Sequence, residues 1–433
     1  MLKKISIYLI GLLPLSLVAG PFIGELLLFS IFIIFIHYFL EQKLFYLFES
    51  NLLKIFFLFW IYIVTISLFA VETFVSIKSS FFYIRFALYT VSIVYLLTLV
   101  KGSIKIIYTI YKYTLLFVIM DSIVQVFFGV NIFGLEPNSV NLTRISGPFG
   151  DQFILGSFLQ KILPVFIYLI LKNYHVEKKI KLFDIIIIIL TFAIIYRSGE
   201  RSALGLIILF SFLFFVINKS FRKKMLVILL FFIIISSAFT FHNPAIFKRN
   251  FTDTLGQFKG KYYEKFLNKE VSETSLNFML FSFDHQTHYS TAFRMFLDKP
   301  IFGHGVKMFR YKCKDFSYKP KKNYSNSFGQ SKNFYGCSTH PHNTYLQLLS
   351  ETGLIGFFFI FSLFAYLLLQ IFSMMKNNNK FYPESALLIG IFVNLWPIIP
   401  TGNFFNNWVS MAYFIPISYY LYEIKYNTKK KIA

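Results

Sequence analysis

The sequence has 433 residues, of which 56% are hydrophobic and 21% aromatic, whereas only 15% are charged. A soluble domain carries roughly 25% charged residues, so this composition excludes an ordinary soluble protein. A net charge of +23 would suggest nucleic-acid binding in such a protein, but here the cations stand between long apolar runs, and no nucleic-acid partner is predicted. Because lipid offers the backbone no hydrogen-bond partners, the runs must form helices.

Apolar runs bounded by charges or by Pro, Gly and Asn predict about twelve membrane-spanning helices. They lie at residues 5–19, 21–40, 53–70, 80–100, 105–127, 152–171, 182–196, 202–217, 225–241, 343–373, 383–399 and 405–423. The predicted fold class is therefore an all-α integral membrane protein with one large loop.

Lysine and arginine alternate between the connections, and short cytoplasmic loops collect these residues. The connections that hold few cations contain little beyond Lys78, Arg144, Arg197 and Arg201, apart from one long segment. We therefore predict that both termini are cytoplasmic and that these cation-poor connections face the other side of the membrane.

The chain divides into helices 1–9 at residues 1–241, a large periplasmic loop at 242–342, and helices 10–12 at 343–433. The excess of cations in the long loop does not contradict this placement, because long loops are translocated largely regardless of charge. Both cysteines of the chain, Cys313 and Cys337, fall in this loop. An oxidising compartment would let them form a disulfide, and two unrelated thiols are the alternative.

The most informative segment reads THPHNTYLQ at residues 339–347. A helix that starts near Pro341 would carry His342 in its first turn, where proline is tolerated. At 3.6 residues per turn, the following residues fall close to the face of His342: Tyr345, Leu349, Gly353 and Gly356. Small residues on that face would let a neighbouring helix approach closely.

A helix start also carries a partial positive charge, which disfavours imidazolium. A neutral His342 could act as a general base that takes a proton from a hydroxyl. The alternative is a histidine at the membrane interface that only caps its helix.

The second group of candidate site residues contains arginines, in the turn RSGERS at residues 197–202. A guanidinium offers a rigid fork of donors that suits phosphate oxygens, which favours Arg201, and to a lesser degree Arg197, as an anion contact. An interfacial ion pair with Glu200, or snorkelling, is the alternative.

Three further arginines are weaker candidates for an anion contact. Arg144 begins the segment RISGPFG, Arg294 precedes Gly303 and Gly305 in the long loop, and Arg85 has no motif around it. The histidines at 285, 288, 304, 340 and 342 lack a firmly placed carboxylate partner, and no phosphate-binding P-loop or dinucleotide motif occurs. We therefore predict neither a metal site nor a cofactor.

His342-Asn343, followed after nine residues by Gly353-x-x-Gly356, resembles the signature of O-antigen ligases and their polymerase relatives. The arginine turn, the R-x-S-G-x-F-G segment and the Arg294-to-Gly305 segment also resemble family features in the expected order. The resemblance covers residues 144–356 by motif, and an O-antigen ligase-like region of about 144–373. Phe359 departs from the family pattern. This departure weakens the assignment of a subtype within the family more than the resemblance to the family itself.

The resemblance implies a metal-independent, C-type glycosyltransferase-like enzyme of the bacterial inner membrane, with its active site facing the periplasm. His342 would activate an acceptor hydroxyl, and Arg201 would bind the diphosphate of an undecaprenyl-diphosphate-linked glycan donor. Further substrate contacts would be Arg85, Arg144, Arg197, Arg294 and Asn343. The family glycines Gly303, Gly305, Gly353 and Gly356 would be structural.

Acceptor choice stays open at this point. A ligase transfers the glycan to lipid A-core, which we rank first, a polymerase to another lipid-linked glycan, and a further relative to protein hydroxyls. A transporter of lipid-linked sugars is a different class; it predicts charged residues near the bilayer midplane, for which Asp121 is a candidate. A membrane scaffold would leave the arrangement of His342 and Arg201 unexplained.

Overall fold

The computed structural model describes residues 1–43, 45–48, 51–137, 143–177, 179–258, 282–318, 336–376 and 382–432. Within these ranges the regular structure is helical, without a strand. The α-helices, numbered in chain order, are α1 Leu2–Ala19, α2 Pro21–Gln42, α3 Asn51–Ser67, α4 Thr73–Phe81, α5 Arg85–Thr98, α6 Ser103–Phe128, α7 Leu155–Glu177, α8 Leu182–Arg197, α9 Arg201–Ile217, α10 Arg222–His242, α11 Pro244–Phe247, α12 Asp253–Phe258, α13 Phe283–Asp298, α14 Phe309–Lys312, α15 Thr344–Lys376, α16 Ser385–Asn394 and α17 Asn407–Ile432. Short 3₁₀ or π segments lie at Phe45–Phe48, Phe82–Ile84, Gly147–Phe149, Lys219–Phe221, Lys248–Thr252 and Phe316–Tyr318.

A helix coincides with each of the predicted apolar runs, and the all-α membrane class is confirmed. Length and composition identify seven membrane-crossing stretches among the described residues rather than twelve. These are α1, α2, Thr73–Thr98, α6, Leu155–Tyr174, Lys219–His242 and α15. The helices α3, α9 and α16 are also apolar but shorter.

Helix α7 lies at the centre of the bundle. It packs against α6, α8, α9, α16 and α17, and side chains such as Phe158, Leu163 and Phe166 have no exposed area. Its largely apolar sequence suits this central place. Gly390 of α16 allows close contact, because a β-carbon there would stand 2.5 Å from Pro164 of α7.

The described parts of the long loop pack over one end of the bundle, which we call the site end. There α13 lies along the first turns of α15, and a small separate core forms between α13 and α14 around Met295, Phe309 and Cys313. A disulfide joins Cys313 to Cys337, whose Cα atoms are 5.1 Å apart. The loop therefore has a fixed position relative to the helix that follows it.

Helix α15 is broken at Gly353, whose backbone has φ 63° and ψ −167°. The break leaves carbonyls of the preceding turn without partners inside the helix, and buried carbonyls need a donor. The backbone amides of His304 and Gly305 donate to the carbonyls of Ser350 and Glu351 at 3.1 and 2.8 Å. The loop thus replaces the hydrogen bonds that the helix gives up.

The break corrects the predicted helical face. Gly353 is not helical, so a count of 3.6 residues per turn from His342 does not carry across it to Gly356. The close neighbour of Gly353 is also not a helix: a β-carbon there would stand 2.2 Å from the carbonyl oxygen of Ile301, in the loop. The glycine accommodates the loop backbone.

Candidate functional site

Helix α15 begins at Thr344, two to three residues later than the sequence predicted, because Asn343 caps it. The Asn343 Oδ1 atom accepts hydrogen bonds from the backbone amides of Tyr345 and Leu346, both at 3.0 Å. Asparagine is among the strongest N-cap residues, whereas histidine is not. The cap amide also donates to the Pro397 carbonyl at 2.7 Å, which fixes the helix start against the segment that follows α16.

His342 stands just outside this cap in the left-handed conformation, with φ 57°. A residue with a β-carbon pays about 1–3 kcal/mol for such a conformation and keeps it only where its surroundings hold it. Here the backbone amide of Thr401 donates to the His342 carbonyl at 2.9 Å. The conformation turns the half-buried imidazole away from the helix, so His342 does not cap α15.

Four imidazole rings gather at this point. The ring centroid of His342 lies 4.1 Å from that of His340, 5.4 Å from that of His285 and 5.5 Å from that of His288. His285 and His288 stand one turn apart on α13, so both face the segment before α15. The sequence did not predict this cluster, since nothing local pairs residues more than fifty positions apart.

All four rings are held neutral. Burial, reinforced by neighbouring His288, lowers the pKa of His342 to about 4. Burial and His342 lower the pKa values of His340 and His285 to about 3, and burial also lowers the pKa of His288. Desolvation rather than the helix end is the main cause, because imidazolium is costly away from water. At neutral pH His342 therefore has a ring nitrogen able to accept a proton.

Arg201 joins the histidines to a cluster of arginines. It begins α9, and it lies within electrostatic reach of both His285 and Arg144. Arg144 is half-buried against the ring of Phe153, with its guanidinium carbon 4.1 Å from the ring centroid. Burial and nearby Arg249 and Arg201 lower the pKa of Arg144 to about 10, which indicates a crowded, positively charged site.

Glu200 is the one buried carboxylate of this arginine cluster, and it is directed mainly toward α7. Its oxygens accept hydrogen bonds from the amides of Gly156 and Ser157 at 2.7 and 3.0 Å and from the Ser157 hydroxyl at 2.6 Å. The guanidinium of Arg144 stands 3.9 Å away. Glu200 therefore anchors the arginine turn to the start of α7 and offsets only part of the surrounding positive charge.

Arg249 is a member of the cluster that the sequence analysis missed. Its Nε donates to the carbonyl of Gly199 at 2.9 Å. A β-carbon on Gly199 would stand 3.1 Å from Cδ of Arg249 and 3.2 Å from Cγ of Arg144. The glycine therefore lets two arginines meet over the turn. A signal was present, since Arg249 follows a span on the side where arginine is not favoured.

The other predicted residues are placed differently. Arg197 is 5% exposed and donates to the Thr143 carbonyl at 2.8 Å, so it holds the segment that carries Arg144. Arg294 is half-buried on α13, six residues after His288. Arg85 pairs with Glu25 at 2.9 Å, and lies within electrostatic reach of Lys307 rather than among the arginines.

The remaining histidine of the loop, His304, lies apart from the four. Its Nε2 is 2.9 Å from the carbonyl of Met295 and 3.6 Å from a carboxylate oxygen of Asp298. Among the described residues, no group of three or more histidine, cysteine, aspartate or glutamate side chains has the geometry to hold a metal ion.

The site thus combines a neutral imidazole with a cluster of guanidinium groups. The imidazole can accept a proton, and the cluster can hold a multiply charged anion such as a diphosphate, with Arg201 between the two. No curated protein matches the chain. Residues 186–361, which include Arg201, Arg249 and His342, match the family model of O-antigen ligase, and this match supports the family that the motifs indicated.

Proposed function

We propose that this protein transfers a glycan from an undecaprenyl-diphosphate carrier to a hydroxyl of lipid A-core, at the outer face of the bacterial inner membrane. The observation that carries the proposal is that Arg201 lies within electrostatic reach of His285, whose ring lies 5.4 Å from that of His342. It brings an anion-binding group and a neutral base into one site at one end of the bundle. The family match supports a ligase or polymerase type of enzyme.

The proposed reaction is a direct displacement. His342 takes the proton of the acceptor hydroxyl as its oxygen attacks the anomeric carbon, and the bond from that carbon to the diphosphate oxygen breaks. The electron pair leaves with the diphosphate, where Arg201, Arg144 and Arg249 stabilise the developing negative charge. Attack opposite to the leaving group inverts the anomeric configuration.

Two features favour this reading over transport. The residues of the proposed chemistry, His342 and Arg201, lie near one another at the site end. A transporter would depend on Asp121. This residue is fully buried, and its Oδ1 accepts a hydrogen bond at 2.9 Å from the backbone amide of Ile132. It therefore stabilises the turn after α6 instead of lining a path.

The test is glycan transfer in reconstituted membranes, with lipid A-core and a lipid-linked repeat unit offered separately. We expect His342→Gln to reduce transfer about 10²- to 10⁴-fold, the usual contribution of a general base, and Arg201→Gln to reduce it while Arg201→Lys restores a part. Lys248→Gln, an exposed cation in the same region, is the control. Undiminished transfer by a folded His342→Gln variant would refute the base assignment, and transfer only to the repeat unit would make the enzyme a polymerase.

A further inference from the structure

A second basic cluster lies near His340 and has no role in the proposal above. Lys307 is half-buried and within electrostatic reach of Arg310, Arg85 and Lys78. Arg310 is in turn close to His340, whose ring contacts His342. His342 therefore has Arg201 near it through His285 and Arg310 near it through His340, so each cation can hold an anion in the neighbourhood of His342.

The cluster is built by packing of the loop against two helices. A β-carbon on Gly305 would stand 2.6 Å from that of Ala70 and 3.2 Å from Oγ of Ser76, so the loop lies on the segment that leads to Lys78. On its other side, the Phe309 amide donates to the buried carboxylate of Glu351 at 3.1 Å. These contacts hold Lys307 and Arg310 in place without using their charges.

Positive charge is in excess here. Arg85 is neutralised by Glu25 at 2.9 Å. Lys307 and Arg310 both lie near the carboxylate of Glu351, and Lys78 is exposed within electrostatic reach of Lys307. None of these three cations forms an ion pair within 4 Å in the part of the chain that the structure describes, and the Nε of Arg310 is buried without a hydrogen-bond partner. Buried donors of this kind are normally satisfied, so the unpartnered Nε of Arg310 favours an anionic ligand at this cluster.

The backbone conformation of Lys307 is an independent indication of a binding site. Its φ is 62°, and His342 shares this left-handed conformation. Among the described non-glycine residues only Lys43, which ends α2, does the same. Such conformations cost about 1–3 kcal/mol and cluster at binding and active sites.

An apolar groove lies in the helix bundle between α3, α5, α15, α16 and α17. Its volume is about 160 Å³. Its walls are apolar side chains such as Phe59, Ala87 and Leu363. Ile55 both lines the groove and is 47% exposed, so the groove opens on the side of the bundle where lipid lies.

One side chain connects the groove to the basic cluster. The Oε1 atom of Gln347 accepts a hydrogen bond at 2.9 Å from the backbone amide of Phe404, a residue that lines the groove. The amide nitrogen of the same side chain donates to Glu351 at 3.0 Å. Two hydrogen bonds of Gln347 therefore link a wall residue of the groove to the carboxylate that Lys307 and Arg310 approach.

We propose that Lys307, Arg310 and Lys78 bind a phosphate group of the acceptor lipid, and that the groove holds the hydrocarbon chain of the same molecule. This inference rests on the proposed function, in which the donor diphosphate occupies the arginines around Arg201. The acceptor then approaches His342 past His340, the ring that Arg310 lies near. The occupant is the phosphorylated lipid A-core of the proposed function, and a lipid-linked repeat unit in its place is an outcome of the experiment.

The experiment measures KM for acceptor and donor separately in reconstituted membranes. With the native chain, removal of the acceptor phosphate by a phosphatase should raise the acceptor KM at least about tenfold, the effect of losing one charged hydrogen bond. Lys307→Gln and Arg310→Gln should raise the acceptor KM by a similar factor, leave the donor KM unchanged, and have no further effect on the dephosphorylated acceptor. The phosphorylated substrate that shows this dependence identifies the source.

Lys312→Gln is the matched control, because Lys312 lies in the same segment but is paired with Asp315 at 2.5 Å. A second variant, Leu363→Trp, fills the groove and should raise the acceptor KM for long-chain lipids but not for a short-chain analogue. An acceptor KM that is independent of phosphate, or variants that raise the donor KM instead, would overturn this inference alone. If the native chain transfers to no acceptor, the proposed function fails with it.

Discussion

Gly303 lies directly against the break that Gly353 makes in α15, backbone on backbone. A β-carbon on Gly303 would stand 2.5 Å from the backbone of Glu351 and Thr352, and one on Gly353 would stand 2.2 Å from the carbonyl of Ile301. The two backbones can approach this closely only because both positions are glycine. The contact fixes the loop that carries Lys307 to the helix that follows His342, so the two halves of the site depend on it.

We therefore expect Gly303→Ala and Gly353→Ala each to destabilise the protein. Both residues also have positive φ, 69° and 63°, so the added side chain meets backbone strain as well as a clash. Overpacking and strain each cost about 1–3 kcal/mol, and thermal unfolding in detergent should show the loss. Gly205→Ala is the control, since its β-carbon would only make ordinary contact with Ile399 at 3.7 Å. An unchanged melting temperature in Gly353→Ala would contradict the packing described.

The pH dependence of transfer should reveal the neutral histidines. Because the pKa of His342 is lowered from 6.5 to about 4, the ring remains an effective base well below neutrality. We expect kcat/KM to stay level as the pH falls from 8 to about 5, and to decline only toward pH 4. An acid limb centred near pH 6.5 would mean that His342 is not desolvated, or that another group limits the reaction.

Stability should fall over a matching interval. The folded state binds fewer protons than the unfolded state between the two pKa values of His342, so its contribution is complete above pH 6.5 and is lost as the pH drops to about 4. His285 and His340, with pKa values of about 3, act in the same direction. Chemical unfolding at pH 7.5 and at pH 5 should show that the free energy of unfolding decreases. In His340→Gln this decrease with pH should be smaller. A variant with the same decrease as the native protein would argue against the histidine cluster.

Arg249 provides a test of the arginine cluster that does not depend on a family motif. Arg249→Gln removes positive charge beside Arg144 and Arg201, and we expect a tenfold or greater loss of kcat/KM, with the donor rather than the acceptor affected. Lys248→Gln, at the adjacent and exposed position, should change little. If both variants behave alike, the effect is a general one of surface charge, and Arg249 does not contact the diphosphate.

The sequence predicted the helices well because each depends on a local property, a run of apolar residues long enough for the membrane. It also indicated Arg201 and His342 as candidate site residues, because arginine between apolar spans and the HPHN segment are unusual locally. It misplaced the start of α15 at Pro341, because the side chain of Asn343 gives a better cap than proline gives a first turn. The error is small in residues, but it changes the direction of the imidazole.

Other features depend on contacts between distant parts of the chain and have no local signal. The break at Gly353 is stable only because residues 300–305 supply hydrogen bonds to it. The histidine cluster exists because α13 packs along α15, which brings His285 and His288 to His342. Neither relationship can be obtained from spacing, since both require the position of the loop over the bundle.

The disulfide between Cys313 and Cys337 should be needed for the site to hold its shape. Cys313 is fully buried in the small core beside α13, and Cys337 lies three residues before His340, so the bond ties the histidine segment to that core. Closing a loop of this length stabilises by about 3 kcal/mol. We expect reduction of the native protein to lower both its melting temperature and its transfer rate.

The double variant Cys313→Ser with Cys337→Ser separates the bond from the reagent. It should match the reduced native protein in stability and transfer, and added reductant should not change it further. A native protein that keeps full transfer after complete reduction, verified by thiol labelling, would show that the contacts of α13 with α15 hold His340 and His342 without the bond. In that case the disulfide would protect the loop and not the site.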